Sequence, residues 1–207
     1  RLALFQGLWA IAVSYPEPRI WNNRVAALAA SARSTAGMAV AGAVGVTDAG
    51  VYGQQPMQGV FELLTRAVEM RRAGEDVEPF VLSRLRARRS LPGYGRPLRD
   101  VDERLAPALA LAKRLRLDGG PHLHAAQAIE TFVRPHRLRM NIAALSAALY
   151  ADQGVSRSEY YHLTALSFSI GFLACHHDAS RHTEGTFMPL RCSRIAYQGP
   201  EPRPWTA

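Results

Sequence analysis

Apolar residues at three- and four-residue spacing run through almost the whole chain, and no stretch shows the apolar/polar alternation of a half-buried strand. Leu163, Leu166, Ile170 and Leu173 mark one such stripe, and Leu4, Leu8 and Ile11 mark another near the start. A period near 3.6 buries one side of a helix, whereas a strand needs a period of 2. The fold class predicted is therefore all-α, with helices packed on helices.

Proline and glycine divide this pattern into segments. The first helix should stop at Ser14-Tyr15-Pro16, because proline cannot continue it. From Trp21 to Val46 the sequence is dominated by Ala, with Gly37, Gly42 and Gly45 among the small side chains. Small residues let helices approach closely, which predicts two tightly packed helices broken near Ser34-Thr35 or Gly37. Tyr52-Gly-Gln-Gln-Pro56 reads as a polar loop. Phe61, Leu64 and Val68 then mark a helix ended by Gly74, and Phe80, Leu82 and Leu85 a short one fading into the basic run Arg84–Arg89. Asp100 and Glu103 have capping-box spacing ahead of Leu105, Leu109 and Ala112. Ala126, Ile129 and Val133 carry the next helix, and Ile142, Leu145 and Leu149 another. A single long helix should run from Leu163 to the Cys175-His-His-Asp178 cluster, followed from Thr183 by a Pro- and Gly-rich tail.

Composition narrows the function classes. The formal charge of +8 is carried almost wholly by arginine, Lys113 being the one lysine. The arginines are scattered and lack interleaved aromatics for stacking bases, so anionic small molecules suit them better than nucleic acid. With no apolar run long enough to span a bilayer and no signal peptide, a soluble protein without a membrane partner is expected. Cys175 and Cys192 are too few for a disulfide framework and fit a reducing cytoplasm. The first residue is Arg1, not Met, which leaves room for a preceding segment. His176, His177, Asp178 and His182 are close in sequence, yet adjacent histidines on a helix point in different directions, so no metal site is assigned. His122 and His124 read as surface residues at a helix start.

The stretch Leu91-Pro-Gly-Tyr-Gly-Arg-Pro-Leu98 holds Pro92, Gly93, Gly95 and Pro97 within a few residues. Such a loop must turn and leave backbone amides free of a ladder, which is how phosphates, carboxylates and base edges are often received.

These pieces, in this order, resemble the C-terminal part of citrate synthase and its relative citryl-CoA lyase. The resemblance runs from Arg24-Val25 and the Ala-rich helices through Tyr52-Gly53, Leu91-Pro-Gly-Tyr-Gly95 and Asn141-Ile142 to Arg194-Ile-Ala-Tyr-Gln-Gly199. It implies an all-helical homodimer with a large domain (residues 1–55 and 159–207) and a smaller mobile domain (56–158), the active site lying between them. It also implies a coenzyme A ester as substrate or ligand rather than a tightly bound cofactor, with Leu91, Pro92, Gly93, Tyr94 and Gly95 holding the adenine.

At each catalytic position of the family this chain differs. Tyr52, followed by Gly53-Gln54, stands where the family has its first catalytic histidine before paired glycines, Arg96 stands for the histidine of Gly-Tyr-Gly-His, and Ala143 stands for the aspartate of Asn-Val-Asp. Arg104 matches the arginine of the family's Asp-Pro-Arg, and Arg191 or Arg194 the arginine that reaches across the dimer. Ser14 and Phe168 replace a substrate histidine and a late-helix arginine. The resemblance thus implies an acyl-CoA/oxoacid condensing fold with lost or altered catalysis and a retained cleft for a CoA thioester or carboxylate. The alternatives are an active citrate synthase, methylcitrate synthase or citryl-CoA lyase type enzyme using Tyr52 and Arg96, and a non-catalytic binding or regulatory subunit, perhaps beside an active paralogue. A repurposed site using Tyr52, His176 or His177 as acid or base is a further reading.

Overall fold

The computed structural model describes residues 1–12, 17–88, 90–95, 101–187, 196, 198 and 199. Its regular elements are helical: α1 (Leu2–Ala12), α2 (Trp21–Ser31), α3 (Ala36–Thr47), α4 (Gln54–Arg72), α5 (Val77–Arg88), α6 (Leu105–Arg114), α7 (Pro121–Val133), α8 (Ile142–Asp152), α9 (Arg157–Ser167) and α10 (Ser169–Ser180). One 3₁₀ turn, Arg134–His136, follows α7. Among the described residues the only extended pairing is two isolated bridges, Leu91 with Tyr94 and Tyr94 with Met140.

Two bodies of core follow from the side-chain sizes. The larger is built on α4, α7 and α8, whose buried Val60, Leu64, Leu123, Ile129, Leu145 and Leu149 interlock, with α1, α5, α6 and α9 packed around them. Its aromatic centre is a chain of rings, Phe5 to Tyr150 to Tyr160 to Phe61, with neighbouring centroids 4.9–5.8 Å apart. The smaller body is α2, α3 and α10, where buried Ala26, Ala27, Ala30, Ala39, Ala43 and Ala179 leave room for the helices to pack closely around Phe172 and Cys175. The Asn22 amide donates to Thr47 Oγ1 at 3.2 Å and ties the start of α2 to the end of α3.

Several boundaries depart from those predicted. The stripe from Leu163 to Leu173 is two helices, not one, because the chain breaks at Phe168. Ser167 there turns its hydroxyl back to the Thr164 carbonyl at 2.8 Å, and such bonding bends helices. The supposed loop Tyr52–Pro56 ends earlier: Gln54, Gln55 and Pro56 form the first turn of α4, where a proline removes no helical bond. Leu105 opens α6 without side-chain capping from Arg104, and Asp100 lies outside the described residues. A capping box is formed by Ser156 and Glu159 at the start of α9. The basic run from Arg84 continues α5 as far as Arg88 rather than ending it.

Leu145 is fully buried on α8 at the centre of the larger core. Truncating Leu145→Ala should cost about 2–5 kcal/mol through lost burial and a residual cavity. Urea unfolding should show this as a lower midpoint with an unchanged slope.

Candidate functional site

A cleft of ≈ 1400 Å³ opens between the start of α4, the loop from Ser90 to Gly95, the start of α8 and the inner face of α9. It is the larger of the two cavities described. The loop is held by backbone geometry that only glycine satisfies easily. Gly93 has φ +82° and Gly95 φ +98°, in the left-handed region. A side chain on Gly93 would also run into Val60 of α4 and Ala144 of α8, the latter at 2.8 Å, so the loop sits directly against both helices.

Hydrogen bonds fix the loop to the strand-like segment before α8. Gly95 N–H donates to the Arg139 carbonyl at 2.7 Å, Asn141 N–H to the Gly93 carbonyl at 2.9 Å, and the Asn141 amide to the Gly95 carbonyl at 2.9 Å. Asn141 also caps α8, its side-chain oxygen accepting from Ala143 N–H at 2.9 Å. Buried Tyr94 donates its hydroxyl to the Ala126 carbonyl of α7 at 2.9 Å, and burial raises its pKa far above the usual phenol range, with Glu130 adding to the shift.

Asp102 is the main electrostatic element. Its carboxylate is 1% exposed and accepts from Arg104 Nε at 2.8 Å, Arg104 Nη2 at 2.9 Å and Ile142 N–H at 2.9 Å. Burial pushes the Asp102 pKa up, but these hydrogen bonds and the Arg104 charge outweigh it and hold the group below the ordinary carboxylate value. Arg104 is thereby fixed as a planar fork on the cleft wall, beside the first turn of α8.

Of the residues singled out in the sequence, Tyr52, Leu91, Pro92, Gly93, Tyr94, Gly95, Arg104, Ala143 and Phe168 all line this cleft. Tyr52 stands on its rim, 65% exposed, with φ +55° and its carbonyl accepting from the Trp21 indole at 3.2 Å. Ala143 is half-buried in the first turn of α8. Arg96, Arg191, Arg194 and Ser14 lie outside the described residues. The histidine cluster is elsewhere: His176 Nε2 lies 2.9 Å from the Ser34 carbonyl, and His182 lies 3.7 Å from the Asp178 carboxylate at the end of α10. His122 is no plain surface residue either, since its Nδ1 lies 2.8 Å from Asp152, whose carboxylate also receives two backbone N–H groups at the start of α7.

Three further cleft residues were not assigned a role from the sequence, although Asp102 stands at the acid of the Asp-Pro-Arg pattern that Arg104 matches. Asp102 sits two positions before Arg104, a spacing that suits a local ion pair but does not announce the bond to Ile142. Tyr150, on the apolar side of α8, has its phenol pushed up to about 12 by burial and stays neutral at physiological pH. Gln58 is one of several polar positions in α4, and nothing in the sequence sets it apart.

Helix N-termini, a glycine loop and one fixed guanidinium around a roomy cleft define a small-molecule site suited to anionic groups. The chain belongs to the citrate synthase family: residues 23–184 match the family model for the citrate synthase C-terminal domain. Among solved structures it is similar to a citryl-CoA lyase from Hydrogenobacter thermophilus, with TM-score 0.83 and 17% identity over 98% of this chain and 78% of that one. It is also similar to citrate synthase from Thermotoga maritima (TM-score 0.72, 17% identity, 99% of this chain, 55% of that one). A third match is an ATP citrate lyase mutant from Methanosaeta concilii in complex with (3S)-citryl-CoA (TM-score 0.76, 17% identity, 95% of this chain, 34% of that one). At these identities the likeness is one of fold, and the chain spans only about a third to a half of the last two proteins. A search of curated proteins by sequence gave no match. No described helix is long and apolar enough to cross a membrane.

The depressed pKa of Asp102 fixes the sign of a pH effect. Its stabilisation is complete above the unfolded carboxylate value of about 3.9 and is lost as pH falls through the lower folded value. Asp102→Asn should therefore be less stable than the parent by a constant amount above about pH 4, a gap that closes on further acidification. Chemical denaturation of both proteins from pH 7 to pH 2 checks this, and a gap that widens on acidification would contradict it.

Proposed function

We propose that this chain forms the cleft of a citrate-synthase-like protein that holds a CoA thioester together with a carboxylate, and whose condensing chemistry is lost or altered. Ala143 carries the reading. It stands in the cleft wall at the position where the family resemblance puts the carboxylate that takes the methyl proton, and a methyl group cannot abstract a proton. At the second departure, Arg96 has a guanidinium with pKa above about 12 and so binds anions without shuttling protons. Leu91 to Gly95 are the proposed cradle for the adenine, Arg104 the proposed carboxylate clamp, and Arg191 or Arg194 further anion contacts. Residues 56–158 would form the mobile small domain.

Purified protein should bind a non-reacting CoA thioester and a di- or tricarboxylate saturably in calorimetry, the carboxylate weakened about tenfold or more by Arg104→Ala, the scale of one lost charge-assisted contact. With acetyl-CoA and oxaloacetate, or with citryl-CoA, it should release no free thiol or acetyl product above the uncatalysed rate. Clear turnover that disappears on Tyr52→Phe would replace this reading with an active synthase or lyase. Tyr52 itself favours that second reading, because a bulky residue held at positive φ is a costly conformation of the kind that clusters at working sites. Failure to bind any CoA ester or di- or tricarboxylate would leave a structural or regulatory subunit.

Homodimerisation is proposed from the smaller body. Met38 and Val46 on α3 and Ile170 and Leu173 on α10 are 69%, 41%, 48% and 47% exposed, an apolar area of the kind that soluble proteins cover with a partner. Light scattering should give twice the chain mass, and Ile170→Lys should shift the protein toward monomer. A monodisperse monomer for the parent chain would refute the assignment.

A further inference from the structure

The cleft described above accounts for Arg104 and the glycine loop but not for the side chains at the start of α4. Gln58 is 8% exposed, forms part of the cleft wall, and its Nε2 has no hydrogen-bond acceptor among the described residues. One turn earlier, Gln54 is 2% exposed; its carbonyl oxygen accepts from Thr164 Oγ1 at 2.9 Å, and its Nε2 also has no acceptor among the described residues. A buried amide donor without an acceptor is a net cost to the fold, so its retention calls for an acceptor supplied from elsewhere.

The surroundings say what kind of acceptor. Gln58 lies in the second turn of α4, and Gly50 to Gly59 border the cleft, apart from Gln54. N-cap Gly53 gives this helix no side-chain acceptor, and no acidic residue occupies its first turn. The positive end of a nineteen-residue helix therefore borders the cleft without a resident counter-charge in its first turn, where the Gln55 N–H donates to the Ala49 carbonyl at 3.3 Å. Two carboxylates lie near it along the chain: Asp48, on the rim and 3.4 Å from the Tyr161 hydroxyl, and Glu62, one turn beyond Gln58 in the cleft lining and paired with Arg157 Nε at 2.7 Å. A neutral carbonyl would satisfy the amide alone, whereas a carboxylate satisfies the amide and the helix end together.

We infer that the N-terminal end of α4 is a carboxylate-binding subsite of the cleft, with the Gln58 amide as its buried donor. It rests on the reading that the cleft holds a small carboxylate, and it places one ligand carboxylate at the start of α4. Gln58 is a binding residue for that group and takes no proton.

Citrate, oxaloacetate and free CoA, the last carrying no carboxylate, serve as separate calorimetric probes of the parent chain and of Gln58→Leu. The substitution should weaken citrate or oxaloacetate binding about tenfold or more, leave CoA affinity within about twofold, and leave the melting temperature of the ligand-free protein equal or higher, since the unpaired donor is gone. Gln58→Glu, which keeps the length but presents acceptors and a negative charge, should abolish carboxylate binding and serves if the leucine variant fails to fold. Unchanged carboxylate affinity in both variants overturns the subsite. A lower melting temperature with equal loss of CoA and carboxylate affinity also overturns it, because the amide is then structural. A parent chain that binds CoA but neither carboxylate overturns this inference together with the carboxylate half of the proposed function, whereas a parent that binds carboxylate with an affinity that ignores both Gln58 variants overturns this inference alone; one that binds none of the three overturns the whole of that reading.

Discussion

The buried carboxylate of Asp102 holds together the parts on which the cleft depends. One group accepts from the Arg104 guanidinium and from the first N–H of α8, so the segment entering α6 and the start of α8 share a single anchor. Burying that charge is costly, and the fork of charge-assisted bonds offsets the cost only if the geometry is kept. The glycine loop relies on the same arrangement, because its contacts with Arg139 and Asn141 place it on the stretch that Asp102 fixes. No side chain fits at Gly93, so helices α4 and α8 approach the loop as closely as backbone allows.

Around this anchor the cleft is lined by charges of both signs, Arg104, Arg137, Arg139 and Arg157 beside Asp48, Glu62 and Asp102, and the carboxylates of Asp102 and Glu62 are bound by Arg104 and Arg157. The starts of α4 and α8 both border it, and the buried phenol of Tyr150 stays neutral. Helix ends and guanidiniums favour negative ligands and do nothing to remove a proton from carbon. In the function proposed above, anion binding and the want of a base are compatible in one site, and Ala143 in the first turn of α8 is the residue on which that proposal turns.

Much of the architecture was legible in the sequence because periodicity reports burial directly. The stripes of Phe61, Leu64 and Val68 and of Ile142, Leu145 and Leu149 each proved to be one buried helical face. The break at Phe168 was not legible, because the apolar spacing continues across it while the two flanking helices pack into different bodies. Spacing also hid the start of α4, where Gly53 and Pro56 read as loop residues although proline is at home in a first helical turn. Nor was the capping box of Ser156 and Glu159 picked out from the sequence; there the chain leaves an extended residue for a helix.

By itself the sequence determined the helical class, the close packing of the Ala-rich pair and the special backbone of Leu91 to Gly95, since each follows from local side-chain size, period or missing Cβ atoms. It also determined which side chains stand at Tyr52, Arg104 and Ala143. Only the tertiary structure decided that these three border one cleft, that Arg104 is clamped by a carboxylate also bonded to another helix, and that Gln58 keeps a buried donor unpaired. Those facts depend on contacts between segments far apart in the chain, and burial and hydrogen-bond partnership are properties of packed neighbours, not of any one stretch of sequence.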